Sequence, residues 1–288
     1  MIGRPEKYIS ASGISSTELQ RFLTHGRNVF PKIETSYDMM LGHAFEAYLR
    51  GDFSERFFVT DFDTSWPSKL RVSDIMGGKI PEKIFCKPDK EGNRKLNKKY
   101  ANLHMWIDAC EEYPGRFPVA QSDYDTIIAC ADSLKLIPVT DFMRIGDMLD
   151  FSEWSKEVYW DSVSGSEICK KKALYDLKFR ADGIYYVCDI KLYSSFQSFR
   201  SWLKGGGWIQ QIHYSEGAMA EFSADYDDIR FIFLVGSKTE KIAHLIEIER
   251  PLDHLWEKYQ MVCDDLTDWD SAGRPVAGYG VETVKVWV

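Results

Sequence analysis

The sequence predicts a mixed fold of the α/β (α+β) class, and three observations carry that expectation. The segment SYDMMLGHAFEAYLRG places Leu41, Phe45, Tyr48 and Leu49 at helical spacing, the pattern of a helix that buries one face. The stretch from Lys156 to Leu192 holds β-branched and aromatic runs in close succession, the pattern of an antiparallel meander. A helical stretch, Trp208 to Phe222, then leads into two further strand-like runs at Arg230–Val235 and Ile242–Ile248. A chain of 288 residues, 44% hydrophobic and 14% aromatic, can bury a substantial core, and one domain spanning 1–288 is expected.

Taken in order, Tyr8–Phe30 offers Ser10 or Ser12 as caps for a short amphipathic helix bearing Leu19, Phe22 and Leu23. The helix at about 36–50 ends near Gly51. Within it, Gly42 costs about 1 kcal/mol relative to alanine, so it is expected to admit a close approach one turn before Glu46. His43 competes for attention on the same helix. Phe53–Val59 reads as an extended edge. Residues 60–150 form an insertion: loops over Thr60–Asn97, then helices over Asn97–Glu112, after Ser122, and over about Thr140–Leu149. Strands follow at Lys156–Trp160, Ala173–Ala181 and Ile184–Leu192. Tyr193–Trp208 reads as a loop, and Trp208–Phe222 as a helix with Gln210, His213, Tyr214 and Gly217 on one face. A last helix over Leu252–Cys263 precedes a loosely packed acidic tail.

Composition narrows the function. No run approaches eighteen apolar residues, so no membrane helix is expected, and MIGRPEKYISASG lacks the apolar centre of a signal peptide. Six scattered cysteines without a C-x-x-C fit a reduced, cytoplasmic protein rather than a disulfide framework or a zinc site. A net charge of −8 argues against a surface coated for nucleic acid, yet residues 62–100 hold ten Lys/Arg against five acids. That stretch is either a solvated loop or a flank that tracks phosphates.

The chemistry concentrates at Asp189-Ile190-Lys191. Alternation along a strand projects Asp189 and Lys191 from one side. A carboxylate that holds a divalent ion, beside an ammonium that steadies the attacking water, suits hydrolysis of a phosphodiester. The partner of Asp189 is open at this level. Asp182-Gly183 is a strong two-residue hairpin signal, and such a turn pairs Asp189 with Asp176. A strand running through Asp182 instead places the turn at Tyr185-Tyr186.

In order along the chain, these segments resemble the PD-(D/E)XK nuclease superfamily, and within it the exonuclease VIII-like recombination exonucleases of phages and prophages, which share the lambda-exonuclease core. YISASGI resembles that family's opening segment and MMLGHAFEAYL its first catalytic helix. KPDKEGNRKLNKKYANLHMW and VAQSDYDTIIACADSL resemble its middle region, and KFRADGI, CDIK and GWIQQIHYSEG its three core motifs. The resemblance spans about Tyr8–Ala220. It implies a central mixed sheet flanked by helices, metal-binding carboxylates at Asp182 and Asp189, and Lys191 as the catalytic lysine; it favours Asp182 over Asp176. Glu46 stands where the exonuclease VIII branch has histidine in G-x-x-x-H and where lambda-type enzymes have glutamate. Asp182, Asp189, Glu46 and the carbonyl of Ile190 would then hold Mg²⁺, with Mn²⁺ as substitute, and Gln210 would support Lys191. Tyr214, Arg180, Arg200 and Lys204 are the expected substrate contacts, and Phe196, Phe199 and Trp202 are either core or a wedge for a frayed DNA end.

The activity implied is an ATP-independent 5′→3′ exonuclease that acts on double-stranded DNA ends and leaves 3′ single strands. A single-strand annealing protein and a ring of identical subunits are the implied partners, in a bacterial host or encoded by a phage. No P-loop of the form G-x-x-x-x-G-K-[ST] is present in the sequence. The competing readings are an endonuclease on the same core and a catalytically silent protein that binds DNA ends.

Overall fold

Two layers of helix enclose a five-stranded sheet, and the order of strands in that sheet decides where chemistry can occur. The computed structural model describes residues 12–25, 36–62, 90–92, 103–164, 167–248 and 253–273. The opening YISA, most of the basic stretch 62–100 and the end of the tail lie outside the described residues.

In chain order the elements are α1 (Ser16–His25), α2 (Tyr37–Arg50), α3 (Phe53–Arg56), β1 (Phe57–Thr60), α4 (Leu103–Glu112), β2 (Phe117–Ala120), α5 (Gln121–Lys135) and α6 (Ile145–Leu149). They continue with β3 (Glu153–Ser164), β4 (Glu167–Ala181), β5 (Ile184–Tyr193), α7 (Phe196–Trp202), α8 (Trp208–Phe222), β6 (Ile229–Ser237), β7 (Ile242–Glu247) and α9 (Asp253–Ser271). The main sheet runs β3-β4-β5-β6-β7. It is antiparallel except between β5 and β6, which are parallel, so the sheet is mixed, as expected. A parallel pair needs a crossover, and α7 and α8 supply it.

One face carries α2 and α5 over Leu177, Phe179, Cys188, Ile190, Ile232 and Leu234. The other carries α7 and α8 over Ala173, Tyr175, Val187, Phe231, Phe233 and Val235. Helix α2 forms where periodicity placed it: Ser36 accepts from the Met39 amide at its start, and Gly51, at φ 87°, closes its end. Ser15, rather than Ser12, caps α1, accepting from the Glu18 amide at 3.4 Å while Glu18 accepts the Ser15 amide at 3.0 Å; Ser10 lies outside the described residues.

Several expectations are corrected. The edge at Phe53–Val59 begins as a helical turn, and only Phe57–Thr60 is strand, paired in parallel with β2. The helix of Thr140–Leu149 is confined to Ile145–Leu149. The expected loop Tyr193–Trp208 is helical: α7, capped by Ser195, continues through a π-helical turn over Leu203–Gly207 into α8. Phe196, Phe199 and Trp202, spaced by three, gave the periodicity, which three consecutive glycines obscured. The tail is packed at its start, because α9 runs to Ser271 and buries Leu266 and Trp269 against α1 and α8. No helix among the described residues is long and apolar enough to cross a membrane.

Candidate active site

The hairpin joining β4 and β5 turns at Asp182-Gly183. Both residues have positive φ, 49° and 84°, as a two-residue type I′ turn requires, and Ala181 faces Ile184 across it. The ladder then runs Arg180 to Tyr185, Phe179 to Tyr186, Lys178 to Val187 and Leu177 to Cys188, and stops. The same register would set Ile190 opposite Tyr175. Instead the Ile190 amide donates to the Asp176 carboxylate at 2.7 Å. A side chain has replaced the backbone acceptor, and the sheet forks here.

The fork has a second sign. Tyr175 belongs to the core on the α8 face and Leu177 to the core on the α2 face, although residues two apart on a strand share a face. Opposite, the β3 ladder passes from Trp154 to Lys156, skipping Ser155, whose φ is 51°. Trp154 and Val158 likewise lie on opposite faces. Both strands break their pleat at one level, which turns Asp176 into the plane of the sheet toward β5. Beyond the fork, Ile14 bridges to β4, donating to Lys170 and accepting from the Lys172 amide.

Asp176, Asp189, Glu46, Lys191 and Arg50 lie around the fork. Asp189 is 2% exposed. Its Oδ2 lies 2.5 Å from Lys191 Nζ, and its Oδ1 accepts from Gln210 Nε2. Glu46 approaches from α2, held by Arg50 at 3.4 Å, and the same guanidinium donates to Ser155 Oγ at 2.9 Å. Burial, then the charges of Asp189 and Glu46, push the Asp176 carboxyl well above the usual range; Lys191 and the Ile190 amide oppose this without prevailing. Burial would also raise Glu46, but its hydrogen bond with His43 and the charges of Arg50, His43 and Arg56 outweigh that and hold it below its ordinary value. The N–H and C=O of one strand residue point toward the same neighbour, so the Ile190 carbonyl also faces the fork.

Among the described residues no three His, Cys, Asp or Glu side chains converge on one point as an ion-holding set. Asp189 is turned toward Lys191 and Gln210, and Glu46 toward Arg50. The donors are nevertheless all hard oxygens, and burial, with the charges of Asp189 and Glu46 added to it, pushes the Asp176 carboxyl up. Hard oxygens are the donors which a divalent cation such as Mg²⁺ takes.

The structure separates the expected residues into two groups. It brings together Asp189, Lys191, Gln210, Glu46 and Ile190. It places Asp182 elsewhere: the residue is exposed at the hairpin tip, roughly 20 Å along β4 from Asp176 at about 3.3 Å per residue. Asp176 takes the position expected of Asp182. Arg180 lies near the same tip, exposed over the Tyr185 ring at 4.7 Å. Tyr214 is buried, its hydroxyl donating to the Leu174 carbonyl at 3.0 Å and its ring against Tyr175 and Phe231, so it cannot touch a substrate. Gly42 receives no close neighbour either; a Cβ there would meet nothing within 4 Å. Arg50, one turn beyond Glu46, went unremarked in the sequence, although its i, i+4 spacing signals the pairing.

Arg200 and Lys204 are exposed, and together with Gln197, Ser201 and Gly205 they form one polar stripe along α7 and the π-helical turn. Phe199 is fully buried and belongs to the core, while Phe196 and Trp202 are half-buried.

No protein-family model matches the chain, and no curated protein matches it. Among solved structures, the chain is similar to a candidate exonuclease from Eubacterium rectale, with 11% identity and a TM-score of 0.47, covering 96% of this chain and 89% of that one. It is also similar to the structure named SSO0001, with 18% identity and a TM-score of 0.27 over 42% of this chain and 50% of the other. At those scores neither likeness bears on what this chain does.

Proposed function

We propose that the fork between β4 and β5 is the hydrolytic centre of a metal-dependent deoxyribonuclease. The observation that carries the proposal is geometric: where the β4–β5 ladder stops, the Asp176 carboxylate holds the Ile190 amide, and Asp189, paired with Lys191, and Glu46, from α2, lie close enough for their charges to act on it. Asp176, Asp189, Glu46 and the Ile190 carbonyl would hold Mg²⁺ or Mn²⁺. A bound divalent ion supplies a lowered pKa for water and charge stabilisation at phosphorus. Lys191, partly open to solvent, donates hydrogen bonds to the attacking water and to the phosphate oxygens as charge builds on them. Gln210 fixes the Asp189 carboxylate, so that its second oxygen keeps one direction. Arg200 and Lys204 pair with the phosphates of the strand lying along α7.

The order of helix, forked hairpin, Asp-x-Lys strand and Gln-bearing helix is similar to the PD-(D/E)XK core. On that likeness the substrate is a double-stranded DNA end, degraded 5′→3′ without ATP to leave 3′ single strands for an annealing protein. A ring of copies around DNA would make the action processive. The test is digestion of 5′- and 3′-end-labelled linear duplex, beside covalently closed circles, with Mg²⁺ or Mn²⁺. Early release of 5′-terminal nucleotides with circles intact is the expected result. Cleaved circles would point to an endonuclease, and no cleavage with either ion would overturn the proposal.

A further inference from the structure

Lys191 has a second neighbour that its role as a catalytic ammonium does not explain. Its Nζ lies 5.7 Å from the centroid of the Trp202 ring, within the range of a cation–π contact. The ring is not there by chance of rotamer. It stands edge-on to Phe233, at 5.7 Å and 87°, and beside Phe199 and Tyr193. From below it lies on Gly207: a Cβ at that position would sit 2.6–2.8 Å from three ring carbons. Gly207 itself has ordinary helical angles, φ −58° and ψ −25°, so its backbone has no need of glycine. What needs glycine there is the indole.

Resting on the nuclease reading above, we propose that Trp202 is the positioning residue of Lys191 and that Gly207 is its seat. In the structure Asp189 restrains the Lys191 ammonium by a direct ion pair. A cation held by Asp189 would weaken that restraint. The indole face then remains, attracting the ammonium through its quadrupole without competing for the cation. The π-helical turn over Leu203–Gly207, with Gly206 at φ 121°, folds Trp202 back over the start of α8 and so delivers the ring to β5.

Two measurements test this. In a ¹³C-labelled sample without metal, the Lys191 Cε–H signal, assigned by its loss in Lys191→Arg, should be shifted upfield by the indole ring current. The shift should vanish in Trp202→Leu. In cleavage assays Trp202→Leu and Gly207→Ala should each lower kcat roughly tenfold while KM for duplex stays unchanged. Trp202→Phe should recover most of the loss. An unshifted Lys191 signal, or full kcat in Trp202→Leu, overturns the proposal, as does a loss that Phe does not rescue. If the wild type cleaves nothing while the shift is present, it is the nuclease reading that fails, and the positioning role falls with it although the contact stands.

Discussion

Helix α8 passes two buried clusters of charge that are built to opposite ends. At its start, Gln210 reaches Asp189 at the fork, where burial first, and then the charges of Asp189 and Glu46, push the Asp176 carboxyl up. Two turns on, Glu216 meets Lys171, whose side chain is fully buried, at 2.7 Å; it also accepts from Tyr259 at 2.6 Å and Ser162 at 2.9 Å. His213 completes this second cluster, bonded to Tyr259 and to the Lys172 carbonyl, both at 2.9 Å. Here charge is balanced: burial works against Glu216, but the Lys171 charge and the Lys171 and Tyr259 hydrogen bonds hold its carboxyl below the ordinary range. The knot ties β3, β4, α8 and α9 together. Perturbed carboxyls gather at functional sites, whereas a buried charge that is paired and hydrogen-bonded can serve structure alone.

That contrast predicts a double dissociation. Lys191→Ala should reduce cleavage roughly 10²–10³-fold with little change in thermal stability, as read by initial rates beside a melting curve. Lys171→Met should do the reverse in kind. It strands Glu216 in the interior, costs about 3–5 kcal/mol, and shows as a lower urea midpoint. Equal effects of the two variants on stability would remove the distinction between the clusters.

Asp176→Asn sharpens it further. The amide oxygen can still accept from Ile190, while no carboxylate has to be buried beside Asp189 and Glu46, so Tm at neutral pH should rise as cleavage is lost. A fall in Tm would mean that burying the Asp176 carboxylate there carries no such cost.

The knot also gives the pH dependence. Burial lowers the His213 pKa from 6.5 to about 4, against the Lys172 carbonyl bond. Between those values the unfolded chain binds a proton that the folded chain refuses, so stability falls as pH drops from 6.5 toward 4. Glu216, also depressed on folding, adds a loss in the same direction below its ordinary 4.5. In His213→Gln the decline of Tm across the upper part of that window should flatten; an unchanged slope would place the proton uptake elsewhere. The smallest effect belongs to the α7 stripe: Arg200→Ala and Lys204→Ala should each reduce the salt slope of duplex binding by about one, without touching either cluster.

Much of this was readable before the structure. Apolar spacing located α2, and β-branched runs located the meander. The Asp-x-Lys pair sits where alternation put it. The sequence also carries a pointer through its own ambiguity, because Asp182-Gly183 is the turn that its chemistry announces, and that turn brings Asp176 to the end of the ladder, where its carboxylate holds the Ile190 amide. Family likeness pulled toward Asp182 and turn chemistry toward Asp176; the backbone puts Asp182 at the hairpin tip and Asp176 at the Ile190 amide. The fork itself was not legible. It depends on Ser155 adopting positive φ and on both strands breaking pleat together, neither of which leaves a periodic trace. Trp202 was visible only as an aromatic near basic residues, since its contact with Lys191 depends on a glycine five positions on and on a turn that no local pattern marks.

The most direct measurement compares Asp176→Asn with Asp182→Asn in Mg²⁺-dependent digestion of linear duplex. The fork predicts that the first variant is inactive and the second cleaves like the wild type. An active Asp176→Asn beside an inactive Asp182→Asn would contradict the placement of the hydrolytic centre between β4 and β5.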